Sequence, residues 1–422
     1  MKRVVLTTFG SYGDLHPYIA LARGLQSRGQ DATIVTSELY RDKVEEQGID
    51  FRPMRPNLAE VGDNAEIVRR VYDPRRGAEY LTRELIMPYL PQTFDDLLAA
   101  AKHADLLISH PITYAAPLVA RMLGQPWLST VLQPMVFMSA YDPPTLPPAP
   151  WLKRVHALSP ALYRFVFKMM KTTVRSWSEP ARQLARERGL PEPEGDPLFE
   201  GQFSPYGTLA MFSRVLADPQ PDWPPDTHVT GFPFHDSDEG DPRAIRALEA
   251  FLVAGEAPIV FTLGSSAVFA AGDFYRQAVE IARRLGRRAV LLTGRLAGGQ
   301  GVGPLPPGMF VAEYAPYSTL FPRAAAVVHH GGVGTLAQSM RAGRPMLVIP
   351  FSHDQPDNAE RAERLGIARR IPRAKFSVDR GVAALRDLFG DPRYARAAEH
   401  IARRIAREDG VGAACEQIEA LL

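Results

Sequence analysis

Chemically active residue types are concentrated between residues 327 and 355, in the sequence VVHHGGVGTLAQSMRAGRPMLVIPFSHDQ. The apolar residues before His330 predict a buried strand, and the glycines after it predict a turn into a helix that Gly343 ends. The backbone N–H groups of residues 331–335 would then lie at the helix N-terminus and point outward. Glycines let a ligand approach that backbone, and the helix dipole favours an anion such as a pyrophosphate. The alternative is a tight strand-to-helix turn that binds nothing.

The glycine spacing leaves open which phosphate compound would bind. Gly332, Gly334 and Ala337 satisfy the pattern G-x-G-x-x-A, and Asp354 follows about 20 residues later, as in dinucleotide-binding oxidoreductases. In such a site the acid closes the second strand directly, whereas residues 351–353 intervene in this chain. An NAD(P)-dependent oxidoreductase is therefore one alternative function.

The composition is that of a globular protein with two domains. The chain has 422 residues, and single hydrophobic cores stop growing at about 250–300 residues. Hydrophobic residues make up 45% and the formal net charge is +2, so neither disorder nor a nucleic-acid partner is indicated. The single cysteine, Cys415, cannot form an internal disulfide, and no cysteine or histidine cluster has the spacing of a metal site. Without a signal-like or membrane-spanning apolar run, we expect a cytoplasmic protein.

Strand and helix signals alternate along both halves of the chain, which predicts α/β domains with doubly wound parallel sheets. In the first half, strands are expected at residues 3–9, 31–37, 104–110 and 126–132. In the second half, they are expected at residues 258–266, 288–294, 309–316, 325–332 and 345–351. Ligands of such sheets bind beyond the carboxyl ends of the strands, so a cleft between the two domains is the expected site.

A stretch rich in proline, aspartate and glycine separates the two halves and predicts a linker. The predicted organisation is a first domain at 1–215, a linker at 216–242, a second domain at 243–400 and a C-terminal helix at 401–422 that packs back on the first domain. The linker also contains the sequence DSD, with Asp236 and Asp238. Such a pair is also found at metal-dependent transferase sites, but solvated linker charge is the preferred interpretation.

Residues 314–366, YAPYSTLFPRAAAVVHHGGVGTLAQSMRAGRPMLVIPFSHDQPDNAERAERLG, resemble the donor-binding signature of the family 1 glycosyltransferases. This family contains plant secondary-metabolite transferases and bacterial macrolide, glycopeptide and sterol transferases. The opening sequence GSYGDLHPYIALARGL, residues 10–25, is similar to the start of the bacterial members. The resemblance implies the GT-B fold, in which two Rossmann-like domains face each other across a cleft.

The resemblance also implies roles for individual residues of the donor site. Tyr314 matches the residue that stacks on the donor's base, His330 matches the histidine that contacts the diphosphate, and Asp354 and Gln355 match the pair that binds the sugar hydroxyls. The complete set assigned to donor binding is Gly264, Ser265, Ser266, Tyr314, Tyr317, His330, Gly331, Gly332, Gly334, Thr335, Gln338, Asp354 and Gln355. These groups would stabilise the departing nucleoside diphosphate without a metal or another cofactor.

Two positions depart from the family pattern. Gln338 stands where the family usually has a glutamate that bonds both ribose hydroxyls, and Tyr317 stands where many plant members have glutamine. An amide offers one acceptor and one donor, whereas a carboxylate accepts from two hydroxyls. A deoxyribose donor has one hydroxyl fewer, so the substitution favours a dTDP-6-deoxyhexose such as dTDP-rhamnose, with UDP-glucose second.

An inverting transfer needs a base that removes the proton of the acceptor hydroxyl. The resemblance to the glycopeptide transferases places Asp14 at the position of this base, with His110 as its partner and His16 as a reserve candidate. Asp14 could instead be only the N-cap of the helix that follows.

Methionines and aromatic residues form adaptable apolar walls. Met135, Phe137, Met138, Phe167 and Met170 are candidates for binding a lipophilic acceptor such as a flavonoid, another phenol, a polyketide or a sterol. Ordinary core packing is the alternative for each of them. Residues 161–175 have a basic amphipathic pattern that permits a membrane-surface role, but membrane association is not expected.

The predicted function is an inverting, metal-independent transfer of a hexose or 6-deoxyhexose from a nucleotide-sugar to a small-molecule hydroxyl. The partners are therefore the donor and the acceptor. Besides the oxidoreductase, a catalytically silent protein that binds nucleotide-sugars remains an alternative.

Overall fold

Parallel strands built from apolar and β-branched residues form two separate sheets, one in each of two units of the chain. The computed structural model describes residues 1–57, 64–236, 242–265, 267–294, 302 and 305–422. The first unit consists of Met1–Val71, Arg75–His235 and Glu408–Leu422, and the second of Tyr72–Pro74 and Asp236–Arg407. The predicted class of two doubly wound α/β domains is confirmed.

The sheet of the first unit has seven parallel strands. They are β1 (Arg3–Thr7), β2 (Asp31–Thr36), β3 (Asp50–Pro53), β4 (Leu106–Ser109), β5 (Trp127–Val131), β6 (Thr208–Ala210) and β7 (Thr227–Val229). Their order is β3-β2-β1-β4-β5-β6-β7, so the direction of winding reverses between β1 and β4. β4 and β5 are buried along their whole length, as strands covered by helices on both faces are.

The helices of the first unit flank this sheet. They are α1 (Tyr12–Ser27), α2 (Arg41–Glu45), α3 (Asn64–Val71), α4 (Gly77–Tyr80), α5 (Leu90–Ala101), α6 (Ala116–Leu123), α7 (Leu152–Leu158), α8 (Pro160–Val174) and α9 (Glu179–Glu187). A π-helical segment spans Leu81–Ile86, and 3-10 turns span Glu38–Tyr40, Met87–Tyr89, Pro134–Phe137, Arg175–Ser178 and Glu200–Gln202.

The sheet of the second unit has six parallel strands. They are β8 (Ile259–Thr262), β9 (Ala289–Leu292), β10 (Met309–Ala312), β11 (Ala326–His329), β12 (Met346–Val348) and β13 (Ala368–Arg370). Their order is β10-β9-β8-β11-β12-β13, so winding reverses between β8 and β11, the counterparts of β1 and β4. Each strand that the sequence predicts in this half is present, in a shorter form.

Helices also flank the second sheet. They are α10 (Pro242–Val253), α11 (Phe274–Leu285), α12 (Tyr317–Leu320), α13 (Val333–Arg341), α14 (Gln355–Arg364), α15 (Val378–Gly390) and α16 (Pro392–Ile405), with 3-10 turns at Ala267–Ala270, Phe321–Arg323 and Arg373–Lys375. Successive side chains of β8 enter opposite layers of the core. Ile259 and Phe261 pack in one buried cluster and Val260 in another, because side chains alternate along a strand.

The segment predicted as linker contains part of the first sheet. Thr227–Val229 forms β7, which pairs in parallel with β6, so the expectation of a continuous linker over 216–242 is wrong. The change from the first unit to the second falls between His235 and Asp236. The short, polar β7 lies at the sheet edge, where it carries no apolar run that the sequence pattern could reveal.

The last helix, α17 (Gly410–Glu419), belongs to the first unit and packs against α1. A Cβ at Gly24 would lie 2.4 Å from the Val411 side chain, so only glycine allows this approach of the two helices. The Cys415 sulfur lies 4.0 Å from the carbonyl oxygen of Leu21 and is buried. None of the helices in the described ranges is long and apolar enough to cross a membrane.

A buried ion pair lies on the inner side of α14. Arg361 is among the largest fully buried side chains, and its Nε lies 2.7 Å from Oδ2 of Asp357, which is also fully buried. A buried charge that loses its partner is strongly destabilising, although the intact pair adds little. The pair therefore joins two successive turns of α14 on its buried side.

We predict that Asp357→Asn lowers the free energy of unfolding by about 3 kcal/mol or more, because Arg361 keeps its charge in a buried position. The measurement is urea denaturation followed by circular dichroism. As a control, Asp379→Asn removes a carboxylate whose ion pair with Arg284 is at the surface, and should cost about 1 kcal/mol or less. Equal losses in the two variants would contradict the prediction.

Candidate active site

The candidate residues follow the two strands at which each sheet reverses its winding. Asp14 and His110 come after β1 and β4 of the first unit, and Gly264 and His330 come after β8 and β11 of the second. In doubly wound sheets this reversal opens a crevice beyond the carboxyl ends of the strands. The two units therefore use equivalent positions for two different sets of groups.

Asp14 lies in the first turn of α1, where it closes a capping box with Ser11. Ser11 is the N-cap, and its hydroxyl oxygen accepts the N–H of Gly13 at 3.2 Å. The Oδ2 atom of Asp14 accepts the Ser11 backbone N–H at 2.7 Å and the Ser11 hydroxyl at 3.1 Å. The alternative that Asp14 is itself the N-cap is therefore wrong, although it takes part in capping. Gly10 is required beside it, since a Cβ there would lie 2.3 Å from Oδ2.

His110 follows β4 directly and faces the other carboxylate oxygen of Asp14. Its Nε2 lies 3.5 Å from Oδ1, and its side chain is 5% exposed. The Nδ1 atom accepts the backbone N–H of Ile112 at 3.4 Å. Since Nδ1 acts as an acceptor, Nε2 is the ring nitrogen that can donate; it faces Asp14 but makes no hydrogen bond at this separation.

The surroundings of Asp14 keep its carboxylate ionised. Burial by itself would raise the pKa of Asp14, but the contact with His110 and the hydrogen bonds from Ser11 outweigh that effect and hold the pKa below its usual value. The carboxylate is therefore charged at neutral pH, with one oxygen used by Ser11 and the other turned towards His110.

His16, the reserve candidate, lies on the same helix but contacts different rings. Its ring centroid is 5.5 Å from that of Tyr12 and 5.4 Å from that of His235. Burial, together with the charges of His235 and Lys43, lowers the pKa of His16 to about 3. The structure brings Asp14 together with His110 and places His16 against His235.

The glycine-rich turn of the second unit leads into a helix without a side-chain cap. The N-cap of α13 is Gly332, and the first N–H bonded within the helix is that of Leu336, which donates to the Gly332 carbonyl at 3.0 Å. Helix geometry leaves the N–H groups of residues 333–335 without intrahelical acceptors. Gly334 is exposed, and a Cβ there would meet nothing within 4 Å. These amides form an open, electropositive helix N-terminus of the kind that binds phosphate.

Gly331 does not contribute its amide to this set, contrary to the expectation for residues 331–335. Its N–H donates to Nδ1 of His329 at 3.1 Å, and its carbonyl accepts from the Asn358 amide at 2.9 Å. Gly331 has φ +93° and a Cβ would lie 2.9 Å from Val348, so the position requires glycine for structural reasons.

His330 is held between two glycines beside the start of α13. A Cβ on Gly264 would lie 2.7 Å from the ring's Cε1 atom, and one on Gly332 would lie 2.5 Å from Nε2. Burial lowers the pKa of His330 to about 4, so the ring is neutral at pH 7. Ser265 is exposed beside Gly264, and Ser266 lies outside the described residues.

The acid–amide pair begins α14 and is tied to the glycine turn. Asp354 is the helix N-cap, and its Oδ2 accepts from the same Asn358 amide group that bonds the Gly331 carbonyl, at 2.6 Å. The Oε1 atom of Gln355 accepts the N–H groups of residues 351 and 352, at 2.9 and 3.2 Å, and the side chain is buried. Asp354 thus starts a helix and does not close β12, unlike the acid of a dinucleotide site.

Two tyrosines predicted for the donor site have different environments. Tyr314 is 44% exposed, which leaves ring surface for stacking. Tyr317 stacks on Phe321 with the ring centroids 4.3 Å apart, and its hydroxyl lies 2.9 Å from Oγ1 of Thr262. Burial raises the pKa of Tyr317 despite its contacts with Thr262 and Thr335. Tyr317 and the buried Thr335 therefore support the start of α13 from within.

Gln338 belongs to a polar network that includes the predicted linker. Its Oε1 accepts from Nη2 of Arg341 at 2.8 Å, and Arg341 makes a two-point ion pair with Asp236 at 2.6 and 3.0 Å. Burial would raise the pKa of Asp236, but Arg341 above all, then the Gln338 amide and the Ser318 hydroxyl, hold it below its usual value. Asp236 is exposed, as its interpretation as solvated linker charge expects, but it is also paired with Arg341. Asp238 lies outside the described residues.

The acceptor candidates are partly core residues. Phe137 is 7% exposed and stacks on Trp223 with the ring centroids 4.1 Å apart, which favours the core-packing alternative. Phe167 and Met170 pack partly against a small cluster around Tyr163. Met135 and Met138 are half-buried near the 3-10 turn after β5.

Sequence reasoning missed Ser11, Arg341 and His329, and it gave Asp236 no part in the site. The pattern S-x-x-D over residues 11–14 could have revealed the capping box, but no local pattern connects Asp236 with Arg341. In the ranges that the structure covers, no three His, Cys, Asp or Glu side chains are grouped as metal ligands are.

Two family models match separate parts of the chain. Residues 4–108 match the glycosyltransferase family 28 N-terminal domain, and residues 289–419 match the C-terminal domain of proteins like the erythromycin biosynthesis protein CIII. The first match contains Asp14, and the second contains His330 with the uncapped helix α13.

Relatives of known activity align along nearly the whole chain. It is 32% identical over 428 residues to the O-mycaminosyltylonolide 6-deoxyallosyltransferase of Streptomyces fradiae, covering 99% of this chain and 97% of that protein. It is 30% identical over 434 residues to a sterol 3-beta-glucosyltransferase of Aspergillus terreus. The second match covers 99% of this chain but only 30% of the longer fungal protein.

Solved structures share the fold. The glycotransferase of kitacinnamycin has a TM-score of 0.73 and 24% identity, covering 100% of this chain and 99% of that chain. The spinosyn rhamnosyltransferase SpnG, complexed with thymidine diphosphate, has a TM-score of 0.68 and 16% identity, covering 99% and 100%. At these identities the likeness concerns the fold alone.

Acidification is predicted to destabilise the second unit through His329 and His330. Burial lowers the pKa of His329 to about 3, with a further contribution from His330, whose own pKa is about 4. In the unfolded chain both rings take up protons near pH 6.5, so stability is complete above about pH 6.5 and falls as the pH drops towards 4. Urea denaturation between pH 7 and pH 5 should show a loss of up to about 1.4 kcal/mol per pH unit for each ring.

The matched variants are His330→Gln and His103→Gln, since His103 is exposed. His330→Gln should have a shallower dependence of unfolding free energy on pH than the natural protein, and His103→Gln should not differ from it. The same slope in all three proteins would contradict the prediction.

Proposed function

The chain belongs to the family 1 glycosyltransferases of the GT-B fold and is a nucleotide-sugar-dependent hexosyltransferase; on that basis we propose that it transfers a 6-deoxyhexose from a dTDP-sugar to a hydroxyl of a lipophilic small molecule. The observation that carries this proposal is the uncapped N-terminus of α13 beside His330. Three amides and a neutral imidazole suit a diphosphate, which carries its charge on several oxygens. The proposed transfer inverts the anomeric centre and needs no metal.

The proposed donor is a thymidine diphosphate sugar, with rhamnose the favoured sugar and UDP-glucose the second choice. The rhamnosyltransferase with the same fold was solved with thymidine diphosphate, and the Streptomyces relative is named for a 6-deoxyhexose. In this chain the carbonyl oxygen of Gln338 is bonded to Arg341. An amide offers one accepting oxygen where the family's carboxylate offers two, which suits a pentose with fewer hydroxyls.

The proposed step is a direct displacement at the anomeric carbon. The acceptor oxygen forms a bond to that carbon as the bond to the diphosphate oxygen breaks, and the bonding electrons leave with the diphosphate. The acceptor's proton passes to the carboxylate of Asp14. The amides of residues 333–335 stabilise the negative charge that develops on the leaving group.

Asp14 is suited to the role of base by its state and its neighbours. It is ionised at neutral pH, and a proton on the His110 Nε2 atom, which lies 3.5 Å from Oδ1, can orient that oxygen as the acceptor's proton is transferred. His110 touches no substrate in this scheme and acts as a positioning residue. Ser11 holds Oδ2, so the carboxylate is fixed before the acceptor binds.

The proposed acceptor is a polyketide or a sterol-like polycycle, with flavonoids and other phenols as further candidates. One relative is named for a substituted tylonolide and the other for a sterol. The half-buried Met135 and Met138 offer flexible apolar surface after β5.

We predict that Asp14→Asn lowers the rate of transfer about 100-fold or more, because the amide cannot take the acceptor's proton. The assay is product formation from dTDP-rhamnose with a mixture of polyketide and sterol acceptors, followed by mass spectrometry. Asn retains an oxygen for the Ser11 N–H, so the melting temperature should stay close to that of the natural protein.

Asp105→Asn is the matched control in the same unit. Its carboxylate accepts the backbone N–H of Arg3 at 2.8 Å, much as Asp14 accepts that of Ser11. This variant should keep the full rate. An undiminished rate in Asp14→Asn would remove Asp14 as the base.

We also predict that Gly334→Val weakens dTDP binding at least about tenfold, or about 1.4 kcal/mol, without lowering the melting temperature. The position is open, so the side chain fits the fold but covers the amides of α13. Isothermal titration calorimetry gives the affinity. Gly390→Val, at another open glycine of this unit, should bind dTDP normally. Normal binding by Gly334→Val would contradict the assignment of the diphosphate to α13.

A further inference from the structure

Exposed apolar side chains are concentrated on the helical hairpin formed by α7 and α8, which pack against each other. Among the described residues, 15 large apolar side chains are exposed, and five of them lie between residues 151 and 169. They are Trp151, Leu158, Leu162, Phe165 and Met169, with exposed fractions from 46% to 83%. Single exposed apolar residues are ordinary, but a group of them on one hairpin indicates a surface that binds a partner.

Three of these side chains form an apolar row along the outer side of α8. Leu162, Phe165 and Met169 are spaced by three and four residues, which places them on one side of the helix. Phe167 faces the other way and stacks on the buried ring of Tyr163, with the ring centroids 5.8 Å apart. The helix therefore has one apolar side that packs within the unit and a second one that stays exposed in the described part of the chain.

A basic row runs beside the apolar row on the same helix. Its members are Arg164, Lys168, Lys171 and Arg175, spaced by four, three and four residues. The first two directly precede Phe165 and Met169 in the chain, so the two rows are neighbours on the helix surface. Lys171 is paired with a glutamate from another segment, whereas the other three form no ion pair within the described ranges.

The whole hairpin carries charge of one sign. Residues 151–178 contain six lysines and arginines and neither aspartate nor glutamate, although the net charge of the entire chain is only +2. A two-fold contact between two copies would bring these like charges together, so the composition disfavours self-association through this surface. Apolar residues beside basic ones suit a partner that has negative groups above an apolar layer, as a bilayer with anionic lipids does.

We propose that α7 and α8 dock the protein on the surface of a lipid bilayer that contains anionic lipids. The apolar row of α8, together with Leu158 at the end of α7, enters the region between the head groups and the acyl chains. Arg164, Lys168 and Arg175 extend to the level of the lipid phosphates, because long basic side chains keep their charged ends in polar surroundings. The contact is peripheral and leaves the bilayer uncrossed.

Docking of this kind brings the enzyme to the place where a lipophilic molecule concentrates. A polyketide or sterol, which is the acceptor class in the proposed function, partitions from water into a bilayer because its apolar surface leaves the water. The sequence pattern of residues 161–175 permits a membrane-surface role, and the structure adds that the apolar row is exposed. We therefore depart from the expectation that the protein does not associate with membranes.

The test is co-sedimentation of the full chain with lipid vesicles, without donor or acceptor. Vesicles of phosphatidylcholine are compared with vesicles in which about 30% of the lipid is the anionic phosphatidylglycerol. The natural protein should have a partition constant at least about tenfold higher for the anionic vesicles. That preference should shrink when NaCl is raised from about 0.1 M to about 0.5 M, since salt screens exposed charges.

Two double variants separate the apolar contribution from the basic one. Phe165→Ser with Met169→Ser should lower the partition constant for anionic vesicles at least about tenfold, because less apolar surface leaves the water. Arg164→Gln with Lys168→Gln should remove most of the preference for anionic over neutral vesicles. All four side chains are exposed, so the melting temperature should stay close to that of the natural protein.

Matched controls change the same kinds of side chain elsewhere in the first unit. Leu39→Ser with Met122→Ser removes two exposed apolar side chains, and Arg23→Gln with Lys102→Gln removes two exposed basic ones. Both controls should bind vesicles as the natural protein does. Binding that is lost in the hairpin variants and kept in these controls would support the proposal.

Three results would overturn the bilayer as the partner of this surface. The first is a natural protein that stays in solution with every vesicle or binds both kinds equally. The second is equal binding by the hairpin variants and the natural protein. The third is a dimer in sedimentation velocity that Phe165→Ser with Met169→Ser dissociates, without binding to vesicles. Since no nucleotide is present, each of these results leaves the proposed transfer to its own tests.

Discussion

A helix that follows a parallel strand begins with backbone amides that have no hydrogen-bond acceptor within the helix. In this protein, the groups that these amides meet determine what each of the two helix N-termini can do. Both units place such a helix where the winding of the sheet reverses. In the first unit the Ser11 side chain accepts an amide of α1, and the Asp14 carboxylate accepts the amide of Ser11 itself. The protein's own carboxylate therefore occupies this helix N-terminus. In the second unit Gly332 leaves the amides of α13 open. One architecture thus supplies a fixed carboxylate in one unit and a binding site for anions in the other.

The different capping of the two helices affects both the folding and the chemistry of each unit. The bonds that make Asp14 part of a helix cap also hold the carboxylate ionised and oriented, since they favour its charged form. In the second unit, the neutral His330 and the glycines around it allow a ligand to approach the backbone, and the buried pair of Asp357 with Arg361 lies within the neighbouring helix. Structural and functional roles therefore fall on the same residues in the first unit and on neighbouring residues in the second.

The sequence predicts the features that depend on local pattern. Apolar runs located the strands, and the glycines after His330 located the open helix end, because periodicity and glycine content report backbone geometry directly. Contacts between distant segments left no such trace. The polar composition around residue 230 concealed β7, and the bond of Asp236 to Arg341 spans about a hundred residues, so neither followed from local pattern. The amide of Gly331 was misassigned for a different reason: its acceptor, Nδ1 of His329, lies only two residues earlier, and residue pattern does not report the direction of that side chain.

The central claim is that the amides at the start of α13 bind the diphosphate of the donor. A crystal structure of the protein with dTDP tests it most directly. The account predicts phosphate oxygens within about 3 Å of the backbone nitrogens of Gly334 and Thr335, with His330 beside them. A diphosphate bound elsewhere, with these amides facing only solvent, would contradict it.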